Sequence, residues 1–339
     1  MTERERFRAL IHNRRADRNG FWMGNPHEDT MPIYLKYFNA KDKLDLSVKL
    51  NNDFYWLAAD LEFWRHPQGE PIFDPLGGKE RISLSQPGIF AECEDVAEVE
   101  CVTWPNPDYI DLDELERAID HVHAQGCAVA GGTWSCFFHI LCDYFGMENY
   151  FIKMYTDPDV VDAVTERVMA FYLEANRRIY ERMGNKLDAQ FLGNDFGTQL
   201  DLLISPEFFR RFVLPSFKKL IDLAKRFNLP VILHSCGAIG KVIPDLIDAG
   251  IDALHPLQAL ARGMDAKTLS QYKNDILFIG GIDTQNLLVN ATPQQVKEEV
   301  RRVRSHLGEG WIVSPSHEAL LPNVPPENLE AMRDAAVNG

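Results

Sequence analysis

The segment ILFIGGID, Ile276–Asp283, is followed by a helical pattern, TPQQVKEEVRRVRSHLG at Thr292–Gly308, and then by a second short apolar run, WIVSPS at Trp311–Ser316. Thr292 can cap this helix, the proline after it suits the first turn, and Gly308 ends it. Valine and leucine at three- and four-residue spacing give the helix one apolar face to bury. This order predicts two parallel strands joined by a helical crossover.

The same alternation of short apolar runs and longer helical patterns covers the rest of the chain. Alternating strands and helices form parallel sheets, and eight such repeats favour closure into a barrel over an open doubly wound sheet. We therefore predict one α/β domain over residues 1–339, a (β/α)8 TIM barrel with a helical segment at its N-terminus. The candidate strands are Gly20–Asn25, Asp53–Asp60, Ala128–Trp134, Asp188–Asp195, Pro230–Cys236, Asp252–Gln258, Ile276–Asp283 and Trp311–Ser316.

One stretch interrupts this rhythm after the second predicted strand. Residues 62–111 carry proline, glycine and short alternating runs such as RISLSQPGIFAE. We expect an excursion from the barrel here, with a small hairpin and a lid. No glycine-rich phosphate loop follows an early strand, which argues against a nucleotide-binding fold.

The composition limits the classes of function. The 339 residues are 45% hydrophobic and 25% charged, as in globular proteins, and 50 acidic against 35 basic residues give a net charge of −15. This charge disfavours nucleic acids and anionic membranes as partners, and no apolar run reaches the ~18 residues of a membrane span. The charged start MTERERFRALIHNRR lacks a signal core, and six cysteines are too few for a disulfide framework. We expect a cytoplasmic protein.

In a TIM barrel the catalytic residues lie at the C-terminal ends of the strands. The polar residues at the predicted ends therefore become candidates, although a strand also needs a polar residue where it reaches the surface. Five of them are candidates for substrate binding. These are Asn25, Trp134, His255, Gln258 and Asp283.

His234 and Cys236 form the sharpest local motif, HSCG. Residues two apart on a strand face the same side, so the imidazole and the thiol can share one cavity, and both are zinc ligands. His317, after the last strand, supplies a third candidate ligand, with Glu318 or Asp283 as a fourth. Alternatively, the pair is a buried histidine beside a buried cysteine, and His317 positions an anionic substrate.

Two carboxylates end apolar strands and are candidate catalytic groups. Asp60 and Asp195 can act as acid, base or ligand, or each can simply cap the next helix. The polar run NDFGTQ around Asp195 favours a functional role there. His139 lies in FFHI among core-like residues; the core is its expected place, and it is kept as a further candidate for substrate binding.

Several longer segments resemble one known family. They are HSCG, LISPEFFRRFVLPSFKKLIDLAK, VIPDLIDAGIDALHPLQ, FIGGIDTQNLL and SPSHEALLPNVPPENLEAM. Together with the order of strands they resemble the uroporphyrinogen decarboxylase superfamily, nearly from end to end and most closely from Asn194 onward. The resemblance implies a (β/α)8 barrel. It also implies one of two activities, the decarboxylation of haem biosynthesis or cobalamin-dependent methyl transfer between corrinoid proteins and thiols.

The decarboxylase branch binds substrate propionates through an arginine-containing motif after its first strand. Here that stretch reads MGNPHED, Met23–Asp29, without arginine. Asp60 matches the essential aspartate of that branch in its strand, and His317 matches its histidine near the C-terminus. The tyrosine of its pocket is replaced in the region 137–139. A metal-free decarboxylase of a carboxylated, tetrapyrrole-type substrate, with Asp60 and His317 central, is therefore the second hypothesis.

The methyltransferase branch holds zinc with a His-x-Cys pair and a later cysteine. His234 and Cys236 match the pair; no cysteine follows Cys236, and His317 stands in the region of the later one. This branch implies a zinc-dependent methyltransferase that moves a methyl group between a corrinoid (cobalamin) carrier protein and a small thiol or methylated substrate, and it is our leading hypothesis. A barrel that binds a tetrapyrrole or corrinoid without turnover is a third. The oligomeric state is not indicated.

Overall fold

The structure is a computed structural model, and it describes residues 1–83 and 85–339. Short apolar runs form the strands, and each lies within a run predicted from the sequence. The strands are β1 (Gly20–Phe21), β2 (Phe54–Trp56), β3 (Ala128–Gly131), β4 (Ala189–Gly193), β5 (Val231–His234), β6 (Ala253–His255), β7 (Leu277–Ile282) and β8 (Trp311–Pro315).

Helices fill the segments between the strands. Several begin at the expected residues: Thr292 caps one with a reciprocal hydrogen-bond pair to Gln295, and Ser205 caps another. The α-helices are α1 (Glu3–Ile11), α2 (Met31–Tyr37), α3 (Lys43–Lys49), α4 (Ala59–Glu62), α5 (Val96–Val99), α6 (Leu112–Ala124), α7 (Phe137–Phe145), α8 (Met147–Thr156), α9 (Pro158–Met183), α10 (Pro206–Phe208), α11 (Leu214–Arg226), α12 (Ile243–Ala249), α13 (Ala266–Leu269), α14 (Leu287–Asn290), α15 (Pro293–Leu307) and α16 (Pro326–Val337).

All strand pairs are parallel, in the order β1-β8-β7-β6-β5-β4-β3-β2. The two ends of this order meet, because the Asp53 amide donates to the Phe21 carbonyl at 2.9 Å. The sheet therefore closes on itself, and the predicted (β/α)8 barrel is confirmed. None of the helices in the described part of the chain is both long and apolar enough to cross a membrane.

The barrel interior is filled by aromatic side chains on β2 and β4 and by one directly after β1. Trp22, Phe54 and Phe191 pack on one another, with ring centroids 4.6–6.4 Å apart. Alanines on β3, β4 and β6 face the same cluster and leave room for the large rings. The helix α1 covers the N-terminal end, where Phe7 lies 5.0 Å from Phe54. The functional end is therefore the opposite, C-terminal mouth.

The excursion after β2 differs from the expectation in one respect. Residues 62–83 and 85–111 form an isolated antiparallel bridge, Trp64 to Ile110, and the short helix α5, and no hairpin strands. Prolines throughout the segment lack the N–H that a ladder needs, which explains why the expected hairpin does not form. The segment still buries Phe73 and Phe90 in the core that surrounds the barrel.

Ion pairs fix α1 to the N-terminal end of the barrel, which we call its foot. Arg6 Nη1 lies 2.7 Å from Asp53 Oδ1, and Arg18 Nη1 lies 3.1 Å from Asp53 Oδ2. The Asp53 carboxylate is fully buried, and burial raises its pKa to about 6 although both guanidinium groups oppose this. Such a carboxylate depends on its partners, since an unpaired buried charge is costly.

Removing one of these partners tests the foot of the barrel. We expect Arg6→Met to lower the free energy of unfolding by about 3 kcal/mol, because it leaves the buried Asp53 with one cation. Urea denaturation followed by circular dichroism measures the change. Arg302→Met, which removes an exposed pair with Glu299 on α15, is the control and should change stability by less than ~0.5 kcal/mol. Equal effects of the two substitutions would contradict the role given to Arg6.

Candidate functional site

The site is centred on His234, the last residue of β5. Its imidazole is buried, and Cys236 Sγ lies 3.6 Å from its Nε2 atom. Asp195, two residues after β4, places Oδ1 3.2 Å from the same nitrogen. The three ligand atoms all lie within 4.8 Å of one another. Nitrogen, sulfur and oxygen donors therefore meet at the C-terminal mouth, which is where a barrel keeps its chemistry.

Strand register brings these groups together. Gly193 of β4 pairs with His234 of β5, so the residues that follow the two strands leave side by side. The Cys236 amide donates to Asp195 Oδ1 at 2.8 Å, which holds the carboxylate against the loop after β5. Gly193 also leaves space for the indole of Trp134, because a Cβ at position 193 would overlap that ring.

The loop after β5 requires glycine. Gly237 has φ of +88°, and a Cβ at this position would collide with the backbone of Gly197. Its amide donates to Gln258 Oε1 at 2.7 Å. Gln258, a candidate for substrate binding, is thus engaged in holding the loop that carries Cys236.

A second group of potential ligands lies on the other side of the His234 ring. His255 Nδ1 is 2.9 Å from His234 Nδ1, and Glu318 Oε2 is 3.4 Å from the same atom. The three residues again form a cluster within 4.8 Å. His255, a candidate for substrate binding, is completely buried, and its ring nitrogen faces His234.

The charges of the site act on one another. Burial lowers the pKa of His234, but the carboxylates of Glu318 and Asp195 outweigh it and the pKa is raised well above its ordinary value. Burial also raises the pKa of Asp195, and the hydrogen bond and charge of His234 outweigh it in turn, so that pKa is lowered. Burial raises the pKa of Cys236, although His234 opposes this. Burial and the His234 charge together hold the pKa of His255 well below its ordinary value.

Two of the separations in this cluster match those between ligands on a zinc ion. Zinc bonds of ~2.0–2.3 Å at tetrahedral angles place a nitrogen and a sulfur ligand ~3.6 Å apart, and a nitrogen and an oxygen ligand ~3.3 Å apart. The corresponding distances here are 3.6 Å for His234 Nε2 to Cys236 Sγ and 3.2 Å for His234 Nε2 to Asp195 Oδ1. Asp195 and Cys236 are partly exposed, so a substrate can reach the group from the mouth.

His317 differs from its expected place as a third metal ligand. Its ring centroid lies 6.4 Å from that of His234, and its Nδ1 accepts the Ala319 amide at 3.0 Å. Among the described residues it joins neither ligand cluster, and Asp195 and Glu318 approach His234 instead. The reason is the bend after β8, which turns Glu318 inward and leaves nearly half of the His317 side chain exposed.

Asp283 also has a different role from the expected one. Its carboxylate accepts the amides of Gln285, Asn286 and Leu287 at 2.9–3.0 Å. These bonds hold the turn that leads into α14 and use both carboxylate oxygens. Asp283, a candidate fourth ligand and substrate contact, joins neither ligand cluster among the described residues.

The remaining candidates line the mouth. Trp134 stands 5.2 Å from the His234 ring and 4.7 Å from Trp56, measured between centroids, so that the two indoles form a wall beside the ligand cluster. The amide of Asn25 donates to the Glu318 carbonyl at 2.8 Å and holds the segment after β8. His139 is not in the core: 41% of its side chain is exposed, and its Nε2 accepts the Asp195 amide at 3.2 Å.

Residues 83–338 match the uroporphyrinogen decarboxylase (URO-D) family. The chain belongs to the uroporphyrinogen decarboxylase family. This confirms the resemblance that the sequence motifs indicated.

Two methyltransferases and a decarboxylase are similar to this chain. It is 29% identical over 244 residues to the methylated-thiol–coenzyme M methyltransferase of Methanosarcina mazei, covering 68% of this chain and 60% of that protein. It is 28% identical over 136 residues to the methylcobamide:CoM methyltransferase of Methanosarcina acetivorans, covering 40% of this chain and 38% of that protein. It is 33% identical over 181 residues to the uroporphyrinogen decarboxylase of Geotalea daltonii, covering 52% of this chain and 48% of that protein. The chain thus spans less than two thirds of each relative.

A solved structure supports the same barrel. The methyltransferase from Methanosarcina mazei superposes with a TM-score of 0.68 over 100% of this chain and 99% of its own, at 15% sequence identity. At this identity the likeness concerns the fold, which agrees with the strand order described above.

Asp60, which resembles the essential aspartate of the decarboxylase branch of the family, lies in α4 at the mouth. It is buried and accepts the Trp134 amide at 2.7 Å. Burial raises its pKa to about 6, and hydrogen bonds from backbone amides only partly offset this. Among the described residues no cation forms an ion pair with it. A carboxylate in this state destabilises the fold, which favours a functional reason for its presence.

The stability cost of Asp60 can be measured. Its folded-state pKa lies above the unfolded value of 3.8, so the folded protein binds more protons between these two values and the ionised carboxylate destabilises it above pH ~6. We expect Asp60→Asn to raise the free energy of unfolding by about 3 kcal/mol at pH 8 and to have little effect at pH 3.5. Urea denaturation at pH 8 and at pH 3.5 measures this change in the free energy of unfolding.

Asp222→Asn, an exposed change on α11, is the control and should show no such dependence on pH. A variant at position 60 that is no more stable than the native protein at pH 8 would refute the burial argument.

Proposed function

We propose that this protein is a zinc-dependent methyltransferase, which moves a methyl group between a corrinoid carrier and a small thiol or methylated substrate. The observation that carries the proposal is the cluster of Asp195, His234 and Cys236, in which the distances from His234 Nε2 to Cys236 Sγ and to Asp195 Oδ1 match those between ligands on one zinc ion. The similarity to the two methyltransferases of Methanosarcina supports the reaction class.

The ligand cluster would hold the ion through His234 Nε2, Cys236 Sγ and Asp195 Oδ1. A zinc ion bound there supplies a Lewis acid that lowers the pKa of a substrate thiol, so that a thiolate is available at neutral pH. The chain itself keeps His234 dry and oriented, and it keeps Asp195 and Cys236 accessible at the mouth. A ligand cluster with a dry side and an open side is the arrangement that a catalytic zinc site needs.

Other residues of the mouth bind and orient the substrate in this proposal. The indoles of Trp56 and Trp134 exclude water from one side of the cluster. His317, with its exposed edge at the mouth, orients an anionic group of the substrate, and His139 lies where it can exchange a proton with a group held at Asp195. Asp60 acts through Trp134, whose backbone it holds. The corrinoid carrier, a partner protein, presents the methyl group as a substrate.

One observation favours a second candidate, a metal-free decarboxylase. The buried Asp60, with a pKa of about 6, is suited to proton transfer near neutral pH. Against it, the segment after β1 lacks the arginines that a polycarboxylated substrate needs, and the net charge of −15 repels such a substrate.

Metal content separates the two candidates. We expect about one zinc per chain in untagged protein by mass spectrometry after dialysis, because three matched ligands converge. Cys236→Ser and His234→Ala should lose it, and the matched control Cys101→Ser, an exposed cysteine far from His234 in sequence, should keep it.

The loaded protein should transfer methyl groups from methylcobalamin to small thiols. Protein that holds no zinc and takes up none when it is added contradicts the proposal. Release of carbon dioxide from a carboxylated tetrapyrrole by the metal-free protein would then support the decarboxylase.

A further inference from the structure

The second nitrogen of His234 faces away from the zinc ligand cluster. There, His234 Nδ1 lies 2.9 Å from His255 Nδ1 and 3.4 Å from Glu318 Oε2. The register of β5 and β6, which pairs His234 with His255, fixes this contact. Both histidines are buried, so water does not mediate it.

Only one hydrogen can lie between the two Nδ1 atoms. A neutral imidazole has one donor and one acceptor nitrogen, so the position of this hydrogen determines what the other nitrogens can do. If His234 Nδ1 donates, its Nε2 can present a lone pair to a metal. If His255 Nδ1 donates, the hydrogen of His234 must lie on Nε2, between Cys236 and Asp195, and His234 cannot be a ligand.

The surroundings of His255 make it the acceptor. Its ring is fully buried between the edges of Trp22 and Phe191, with centroids 5.1 and 5.5 Å away, and its hydrogen-bond partner among the described residues is His234. An isolated imidazole in such a place stays neutral. Glu318 Oε2, which is buried and has no hydrogen-bond partner among the described residues, lies 3.4 Å from His234 Nδ1 and adds a negative charge that favours the hydrogen on that nitrogen.

We propose that His255, assisted by Glu318, is a positioning residue that keeps the hydrogen of His234 on Nδ1 and so keeps Nε2 free for the zinc. This inference rests on the proposed function. With Nδ1 as the acceptor, the hydrogen of His255 lies on Nε2, which is buried without a partner among the described residues. A position with only a packing role would be better filled by an apolar side chain, and the polar ring is retained because its Nδ1 accepts.

The first test requires neither metal nor a stability change. Nitrogen-15 NMR of the metal-free protein should show His255 as a neutral ring with its hydrogen on Nε2 and an unprotonated Nδ1, with the resonance assigned by its loss in His255→Asn. This state is expected whether His234 is neutral or charged, because Nδ1 of His234 donates in both. A hydrogen on Nδ1 of His255 would overturn the proposal.

The second test measures metal affinity. We expect His255→Leu, which removes the acceptor, to weaken binding of Co²⁺ and Zn²⁺ by about 10- to 100-fold in competition with a chelator, and to change the visible spectrum of the Co²⁺ protein. His255→Asn, whose side-chain oxygen can accept in place of Nδ1, should recover most of the affinity. His123→Leu, which removes a histidine paired with Asp188, is the matched control and should bind as the native protein does.

The outcomes separate the inference from the proposed function. Native protein that binds no metal contradicts the zinc proposal, and the NMR result still decides the state of His255. Native protein and His255→Leu with equal affinity contradict only the role of His255. Loss of affinity in both substitutions at position 255, with the native fold retained, also contradicts it, since Asn supplies the acceptor.

Discussion

The register of three neighbouring parallel strands determines where Asp195, His234 and Cys236 lie. β4, β5 and β6 place Gly193, His234 and His255 in one row across the sheet. Asp195 and Cys236, each two residues beyond this row, therefore lie next to each other at the mouth. Shifting one strand by a residue would turn its side chains to the other face. Backbone hydrogen bonds hold the strands in this register, and Phe191, Ile232 and Ala253 of these strands pack in the barrel interior below it. The chemistry at the mouth therefore depends on the core beneath it.

Much of the fold was predictable, because short apolar runs and helical stripes depend on local composition. The period of two in a strand also predicts that His234 and Cys236 face one cavity. The details beyond the strand ends were not predictable. Glu318, and not His317, approaches His234 because the chain bends after β8 and a backbone hydrogen bond from Asn25 holds that segment.

Two further differences concern single polar side chains, one in contact with a distant segment and one with the residues that directly follow it. His139 is surrounded by apolar neighbours in FFHI, which indicated the core, but α7 turns its ring toward Asp195. Asp283 ends an apolar strand as a catalytic carboxylate would, yet the next residues fold back to donate three amides to it. Polar residues at strand ends thus share one sequence signature and have several uses.

The two ends of the barrel have different roles, stability at one and chemistry at the other. At the foot, Arg6 and Arg18 hold the buried Asp53 and fasten α1, whereas the ligand cluster lies at the mouth, beyond the core. Substitutions at the mouth therefore need not disturb the groups that secure the foot. Such a separation allows ligands and substrates to be exchanged on an unchanged frame, and this gives a physical reason why one chain can be similar both to decarboxylases and to methyltransferases.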